Sequence, residues 1–358
     1  MENRLELFAK KLKERDLDAL FLTDESNVRY LSGFTGSETY LFISQARSCL
    51  ITDHRYTEQA ERECGEFTVV PHTAVPGHTL YELIAAFCAE DGVRELGFEK
   101  EHLMYDEYEK LSGEVAGTEL VPTAGIVEEM RLVKSAGEAA LLKEACAATD
   151  RVFSKICDFL RPGLSEKQVE REMLYYILGE GCESSFSIIV ASGVNGSLPH
   201  AIPGTRSLQP GELVTMDFGC MYQGYHADMT RTVCLGKADE KTREIYGMVL
   251  EAKNRAQSLV RPGAACRDID AAARDYFAEK GYAEYFKHGL GHGVGLDIHE
   301  APRLNTSSNC VLEQGYAVTV EPGLYLPGWG GVRIEDTVLV TEDGCDCLFT
   351  SPTELICL

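Results

Sequence analysis

Residues 288–300 read HGLGHGVGLDIHE and hold three histidines, His288, His292 and His299, spaced by 4 and then 7 residues with glycines between. On a strand or a glycine-rich turn this spacing does not carry three rings to one point. One ring is expected on a metal and two along the adjoining pocket. Working outward, four acids stand in apolar, strand-like settings: Asp217 in VTMDFG, Asp228 in YHADMTRT, Glu321 in VTVEPG and Glu335 in VRIEDTVLV. Desolvating an unpartnered carboxylate costs several kcal/mol. Four of them beside a histidine point to divalent metal rather than to surface charge.

Asp217 and Asp228 lie 228 − 217 = 11 residues apart with Gly224 between them to turn on, which reads as a hairpin. Across it the two carboxylates can face each other, and without a cation their repulsion would raise one pKa. Glu321 and Glu335, 335 − 321 = 14 apart across Pro322-Gly323 and Gly328 to Gly331, read as a second antiparallel pair facing the first. The donor set mixes carboxylates with imidazole and contains no thiolate. It suits manganese, cobalt, iron or a catalytic zinc pair better than calcium, magnesium or structural zinc. Two such ions about 3.5–4 Å apart would hold a hydroxide and polarise a carbonyl, which is the chemistry of amide hydrolysis.

The same part of the chain repeats itself. Arg161-Pro162-Gly163 recurs as Arg261-Pro262-Gly263, and Gly181 and Phe186 recur as Gly281 and Phe286 at the same offset of 100. Each Arg-Pro-Gly joins two helical patterns ahead of a β-rich stretch, which predicts a duplicated α+β half with the acids in the cleft between its sheets.

Residues 1–122 read differently. DALFLT, YLFIS, SCLIT, FTVVP and ELGFE alternate with an opening helix, YTEQAERE, TLYELIAAFCAE and MYDEYEKLSG, the pattern of a smaller α/β layer domain. His54, His72, His78 and His102 are read there as structural or surface residues. A break at Pro122 to Gly125 sets off a second domain over 126–358. From Met130, MRLVKSAGEAALLKEACAATDRVFSKICDFL reads as one long helix stopped by Pro162 and Gly163.

Composition excludes several classes. The net charge of −23, from 57 acidic and 34 basic residues without a basic cluster, argues against nucleic acid. There is no apolar run of about 18 residues to span a membrane. The charged amphipathic start is not a secretory signal. Thirteen cysteines without CxxC pairs predict reduced thiols in a cytoplasm, with Cys146, Cys157 and Cys234 acting as small core residues.

HGLGHGVGLDIHE and the four acids resemble the signature and ligand positions of the pita-bread metallopeptidases: methionine aminopeptidase, aminopeptidase P and prolidase. NVRYLSGFTGS, Asn27 to Ser37, resembles the leading domain of prolidase, aminopeptidase P and creatinase, which methionine aminopeptidases lack. The resemblance implies a pita-bread catalytic domain behind a creatinase-type α/β domain. It implies two divalent ions, most often Mn2+: Asp217 on one, Asp228 and Glu335 bridging, His292 and Glu321 on the other, with Glu321 also moving a proton. It further assigns substrate contacts to His200 in GSLPHAIPG, to His288 and to His299, and a place to Arg333, two residues before Glu335. The implied activity is hydrolysis of the Xaa-Pro bond at the N-terminus of peptides or dipeptides through a metal-bridging hydroxide, by a homodimer. A metal-free binding module on the same fold and a creatinase-like amidinohydrolase are the alternatives; creatinase keeps the fold but not the ligands. Nucleotide binding through the glycines near His292 lacks the strand–GxGxxG–helix setting.

Overall fold

The computed structural model describes residues 4–72 and 79–358, so His78 lies outside the described residues. The chain divides into two compact units, Met1–Arg131 and Leu132–Leu358.

Among the described residues of the first unit, six helices alternate with six strands. The helices are α1 (Arg4–Glu14), α2 (Glu25–Ser32), α3 (Thr57–Glu63), α4 (Leu80–Asp91), α5 (Tyr105–Glu114) and α6 (Ile126–Arg131). The strands are β1 (Ala19–Leu22), β2 (Thr39–Ser44), β3 (Ser48–Thr52), β4 (Thr68–Pro71), β5 (Glu95–Glu99) and β6 (Glu119–Thr123). They form one mixed sheet in the order β4-β3-β2-β1-β5-β6. Its central strand, ALFL, is buried throughout, as a strand covered on both faces must be. Phe21, Phe42, Ile51, Ile84 and Leu96 form the core beside it. α2 and β6 add to the elements expected from sequence. α2 begins on the Asp24 cap and ends at Gly33, whose φ of 77° is the left-handed conformation that glycine adopts without strain. Its Asn27, in the NVRYLSG motif, is buried and donates to Glu99 and Glu128 at 2.7 Å each.

In the second unit the helices come in two pairs, α7 (Ala136–Phe159) with α8 (Glu166–Gly179), and α9 (Glu240–Gln257) with α10 (Cys266–Glu279). The helix expected to run unbroken from Met130 is in fact two. α6 ends at Arg131, and Ser135 opens α7 with a capping box to Glu138 that satisfies the new helix start. After the first pair come β7 (Glu183–Ser184), β8 (Ile189–Ser192), β9 (Leu213–Phe218), β10 (Cys220–Tyr222), β11 (Tyr225–His226) and β12 (Met229–Cys234). After the second come β13 (Gly291–Gly293), β14 (Glu300–Leu304), β15 (Ala317–Val320), β16 (Gly323–Leu326), β17 (Gly330–Arg333), β18 (Asp336–Val340) and β19 (Cys345–Cys347).

The repetition extends to single hydrogen bonds. Gly163 N donates to Leu208 O and Gly263 N to Leu312 O, both at 2.9 Å; Leu208 N returns to Leu164 O and Leu312 N to Ala264 O, both at 2.8 Å. Both glycines sit at left-handed φ, 93° and 83°. Each half then builds an antiparallel trio, β8-β9-β12 and β13-β15-β18, with the middle strand paired on both sides. The acids follow the same frame: 321 − 217 = 104, the offset that also separates Leu208 from Leu312.

Candidate active site

The acids occupy the ends of these strands. Asp217 is the fifth residue of β9, between Ile189 on β8 and Thr230 on β12. Asp228 immediately precedes β12, and Glu321 and Glu335 stand one residue outside β15 and β18. Between those two glutamates β16 and β17 form a separate two-stranded sheet, and both glutamates line the cavity. β12 closes the seam between the halves: Glu335 N donates to Thr230 O at 3.1 Å, and Thr232 Oγ1 donates to Arg333 O at 2.9 Å. Gly291 is required where His292 enters, because a Cβ there would collide with the Thr319 carbonyl of β15.

Asp228, His292 and Glu335 present ligand atoms within 4.8 Å of one another, and all three are buried. His292 Nε2 lies 3.4 Å from both Asp228 Oδ2 and Glu321 Oε1. Its Nδ1 faces the Gly293 carbonyl at 3.0 Å, which fixes a proton there and leaves Nε2 toward the acids. Asp217 is held through Oδ2 by Arg333 at 2.6 Å. Two oxygens of the cluster, Asp217 Oδ1 and Glu335 Oε1, are buried without a hydrogen-bond partner. A buried acceptor without a donor is costly, and two within one acidic cage fit a divalent cation as the missing partner.

The electrostatics agree. Burial lifts the Asp217 carboxyl to about 6, with the charge of Asp228 adding to the rise and Arg333 opposing it. Burial likewise lifts Glu321 to about 7. Glu335 is raised well above the carboxylate range by burial and then by Asp228, Glu321 and Asp217. His292 moves the other way: burial would lower it, but the bond to Asp228 and the charge of Glu321 raise it to about 9. The cage is a site of excess negative charge in a low-dielectric wall, and cations relieve it.

All of these residues line one cavity of 560 Å³, together with His200, His288, His299 and Arg333. His200 is exposed at its wall. His299 stacks edge-on against His292, ring centroids 4.4 Å apart, and burial holds its pKa down. His288 is pushed down to about 4 by burial and by Arg333, so the ring is neutral. Its nitrogens are engaged within the protein: Nδ1 donates to Gly289 O at 2.8 Å, and Tyr325 Oη donates to Nε2 at 3.0 Å.

Sequence reasoning passed over Tyr325, Thr230 and Arg303. Tyr325 accepts from Arg333 at 2.9 Å and so links that guanidinium to His288. Thr230 Oγ1 accepts from Arg333 Nε at 2.9 Å and donates to Glu335 Oε2 at 2.7 Å. Arg303, on β14, lines the cavity as a second guanidinium. In the sequence, GLYL reads as plain core strand and Thr230 as a β-former; only their position beside the acids marks them. Behind the cage, Arg231 and Lys253 close on Asp336, and Arg231 also donates to the Glu335 carbonyl, so the strand bearing Glu335 is fixed from its far side.

The model of metallopeptidase family M24 matches residues 140–342, and that of the creatinase/prolidase N-terminal domain matches residues 4–133. An uncharacterized peptidase of Bacillus subtilis (strain 168) is 41% identical over 356 residues, covering 99% of this chain and 100% of its own. The solved structure of an Xaa-Pro dipeptidase from Bacillus anthracis has a TM-score of 0.95 at 43% identity, with 99% of each chain covered. That of an X-Pro aminopeptidase from Thermotoga maritima MSB8 has a TM-score of 0.90 at 32% identity, covering 98% of this chain and 100% of that one. With the pita-bread frame and the acidic cage already in place, these matches settle the assignment: the chain belongs to metallopeptidase family M24 and carries the creatinase/prolidase N-terminal domain.

Proposed function

We propose that this metallopeptidase cleaves the Xaa-Pro bond at the N-terminus of short peptides, using two divalent ions, with manganese preferred. The observation that carries the proposal is the pair of orphaned buried oxygens, Asp217 Oδ1 and Glu335 Oε1, in a cage completed by Asp228, His292 and Glu321. The Xaa-Pro names of relatives matching over the whole chain support the substrate class.

In this reading Asp217, Asp228, His292, Glu321 and Glu335 hold the ions. Bound there, divalent ions would lower the pKa of water and polarise the scissile carbonyl. Glu321, on the cavity side of the cage, takes a proton from the attacking water and returns it to the leaving amine. His200 and His299 meet the substrate from the cavity wall, and His288 joins them by exchanging its bond from Tyr325. Arg333 fixes Asp217 and, through Thr230, the orientation of Glu335. Arg303 offers a positive charge at the cavity, which favours a substrate with a free carboxylate close to the cleaved bond. On that ground a dipeptidase is preferred over an aminopeptidase acting on long peptides. We further place the protein in the cytoplasm as a homodimer. Its thirteen cysteines suit a reducing compartment, and light scattering tests the dimer.

Purified protein loaded with Mn2+ should hydrolyse Xaa-Pro dipeptides, with kcat/KM falling as residues are added after proline. Failure to cut any member of that length series would refute the reading.

A further inference from the structure

The carboxylate of Glu166 is fully buried, yet it is not part of the metal cage. It is the first residue of α8, directly after the Ser165 cap, where the helix start favours a negative charge. Its two oxygens collect donors from both ends of one segment. Oε1 accepts from Ser192 N and Ser192 Oγ at 2.8 Å each and from Asn195 Nδ2 at 3.0 Å. Oε2 accepts from the same Asn195 amide at 3.1 Å and from Gly204 N at 3.1 Å. Ser192 closes β8, the strand beside Asp217, and Gly204 lies four residues beyond His200. In the intervening segment Val194, Leu198 and Ile202 are exposed, Ile202 by 88%, while Ala201 and Pro203 are buried and the Pro199 carbonyl accepts from Arg333 at 3.3 Å. Its middle, Pro199 and His200, lines the active-site cavity.

The second half holds its own histidine segment from the matching helix. Asp270, one turn further along α10, is fully buried and accepts from Leu290 N at 3.0 Å. Arg274, bonded to Asp270, donates to the carbonyls of Phe286 and His288 at 3.2 and 2.9 Å. In both halves a buried acid on the outer helix grips the backbone flanking a cavity histidine.

From this we infer that Glu166 is a positioning residue for substrate binding: by fixing Ser192, Asn195 and Gly204 together it holds His200 at the cavity wall. The inference rests on the proposed substrate contact of His200. A carboxylate can accept all five of these hydrogen bonds, whereas an isosteric amide turns an NH2 toward donors, and an aspartate is one methylene too short to reach Ser192 and Gly204 at once.

The test uses the full chain loaded with Mn2+, comparing wild type with Glu166→Gln and Glu166→Asp by hydrogen exchange, metal content and steady-state kinetics on an Xaa-Pro dipeptide. Amide exchange across residues 192–204 should accelerate by at least about tenfold in the Gln variant. KM should rise about tenfold while kcat stays within about threefold and metal content is unchanged. Glu166→Asp should give a smaller shift of the same kind, and it carries the test if the Gln variant does not fold. Unchanged exchange across 192–204 overturns the clamp, whatever the enzyme proves to hydrolyse. Accelerated exchange with an unaltered KM, or a fall in kcat and metal content together, overturns the link to substrate. A wild-type protein that cuts no Xaa-Pro peptide instead defeats the peptidase reading, a result the exchange data distinguish from failure of the clamp.

Discussion

Arg333 donates to one oxygen of Asp217 at 2.6 Å while the other oxygen of that carboxylate is buried without a partner. The guanidinium therefore orients the acid and leaves its other oxygen free to accept a cation. Arg333 also reaches Tyr325, Thr230 and the Pro199 carbonyl, a spread that a lysine amine cannot span. Arg333→Lys should lower kcat/KM by about a hundredfold. The charge of Arg333 also opposes the rise of the Asp217 pKa, so in Arg333→Met, which removes that charge, metal affinity should fall more at pH 6 than at pH 8. Steady-state kinetics check the first part and competition titrations with a metal chelator at the two pH values the second; an equal loss of affinity at each would contradict the role given to Arg333.

Glu335 is a disfavoured charge in the cage, raised by burial and by three neighbouring acids. Glu335→Gln should abolish activity and weaken metal uptake, yet stabilise the metal-free protein by about 1–2 kcal/mol by removing a buried like charge. Thermal unfolding of stripped wild type and variant at pH 8 reads this directly. A variant less stable than stripped wild type would show that the carboxylate is tolerated for reasons other than metal.

The stripped protein should lose stability as pH rises. Asp217 at about 6 and Glu321 at about 7 bind protons more tightly folded than unfolded, so their contribution declines from about pH 4 upward. His292, raised to about 9, contributes stability that is fully present below about 6.5 and is lost as pH climbs to about 9. All three slopes share one sign, so the Tm of metal-free protein should drop between pH 5 and 9. Mn2+ should flatten the curve and release protons on binding, measurable in weak buffer at pH 7. A stripped protein equally stable across that range would contradict the coupling.

His299 meets the His292 ring edge-on, with the ring centroids 4.4 Å apart. His299→Ala should reduce kcat by about 10²-fold or more with metal content near wild type. Elemental analysis beside kinetics separates the outcomes, and a parallel loss of metal would move His299 from the substrate to the cage.

The acids were legible in the sequence because burial inside β-branched stretches is anomalous for a carboxylate. The duplication was legible because Pro and Gly mark both helix stops at one offset. Other features were not. The Met130 segment keeps an apolar rhythm across Leu132 to Ser135, and only the reciprocal cap of Ser135 and Glu138 reveals the break. Tyr325 looks like any buried aromatic until the β16–β17 hairpin sets it between His288 and Arg333. Glu166, at a helix start, reads as a solvated end charge, and its burial depends on a segment that returns some 38 residues later. Such features arise from long-range packing, which local pattern does not encode.

The bonds from Gly163 to Leu208 and from Gly263 to Leu312 carry a consequence for the cage. Each copy of the motif brings one acid at the end of its middle strand and a second beside the third strand, so one copy alone would hold only half a cage. Two such copies meeting face to face close the whole of it. Joined in one chain, the copies need not be symmetric, and here the second carries the histidine-rich turn that the first lacks.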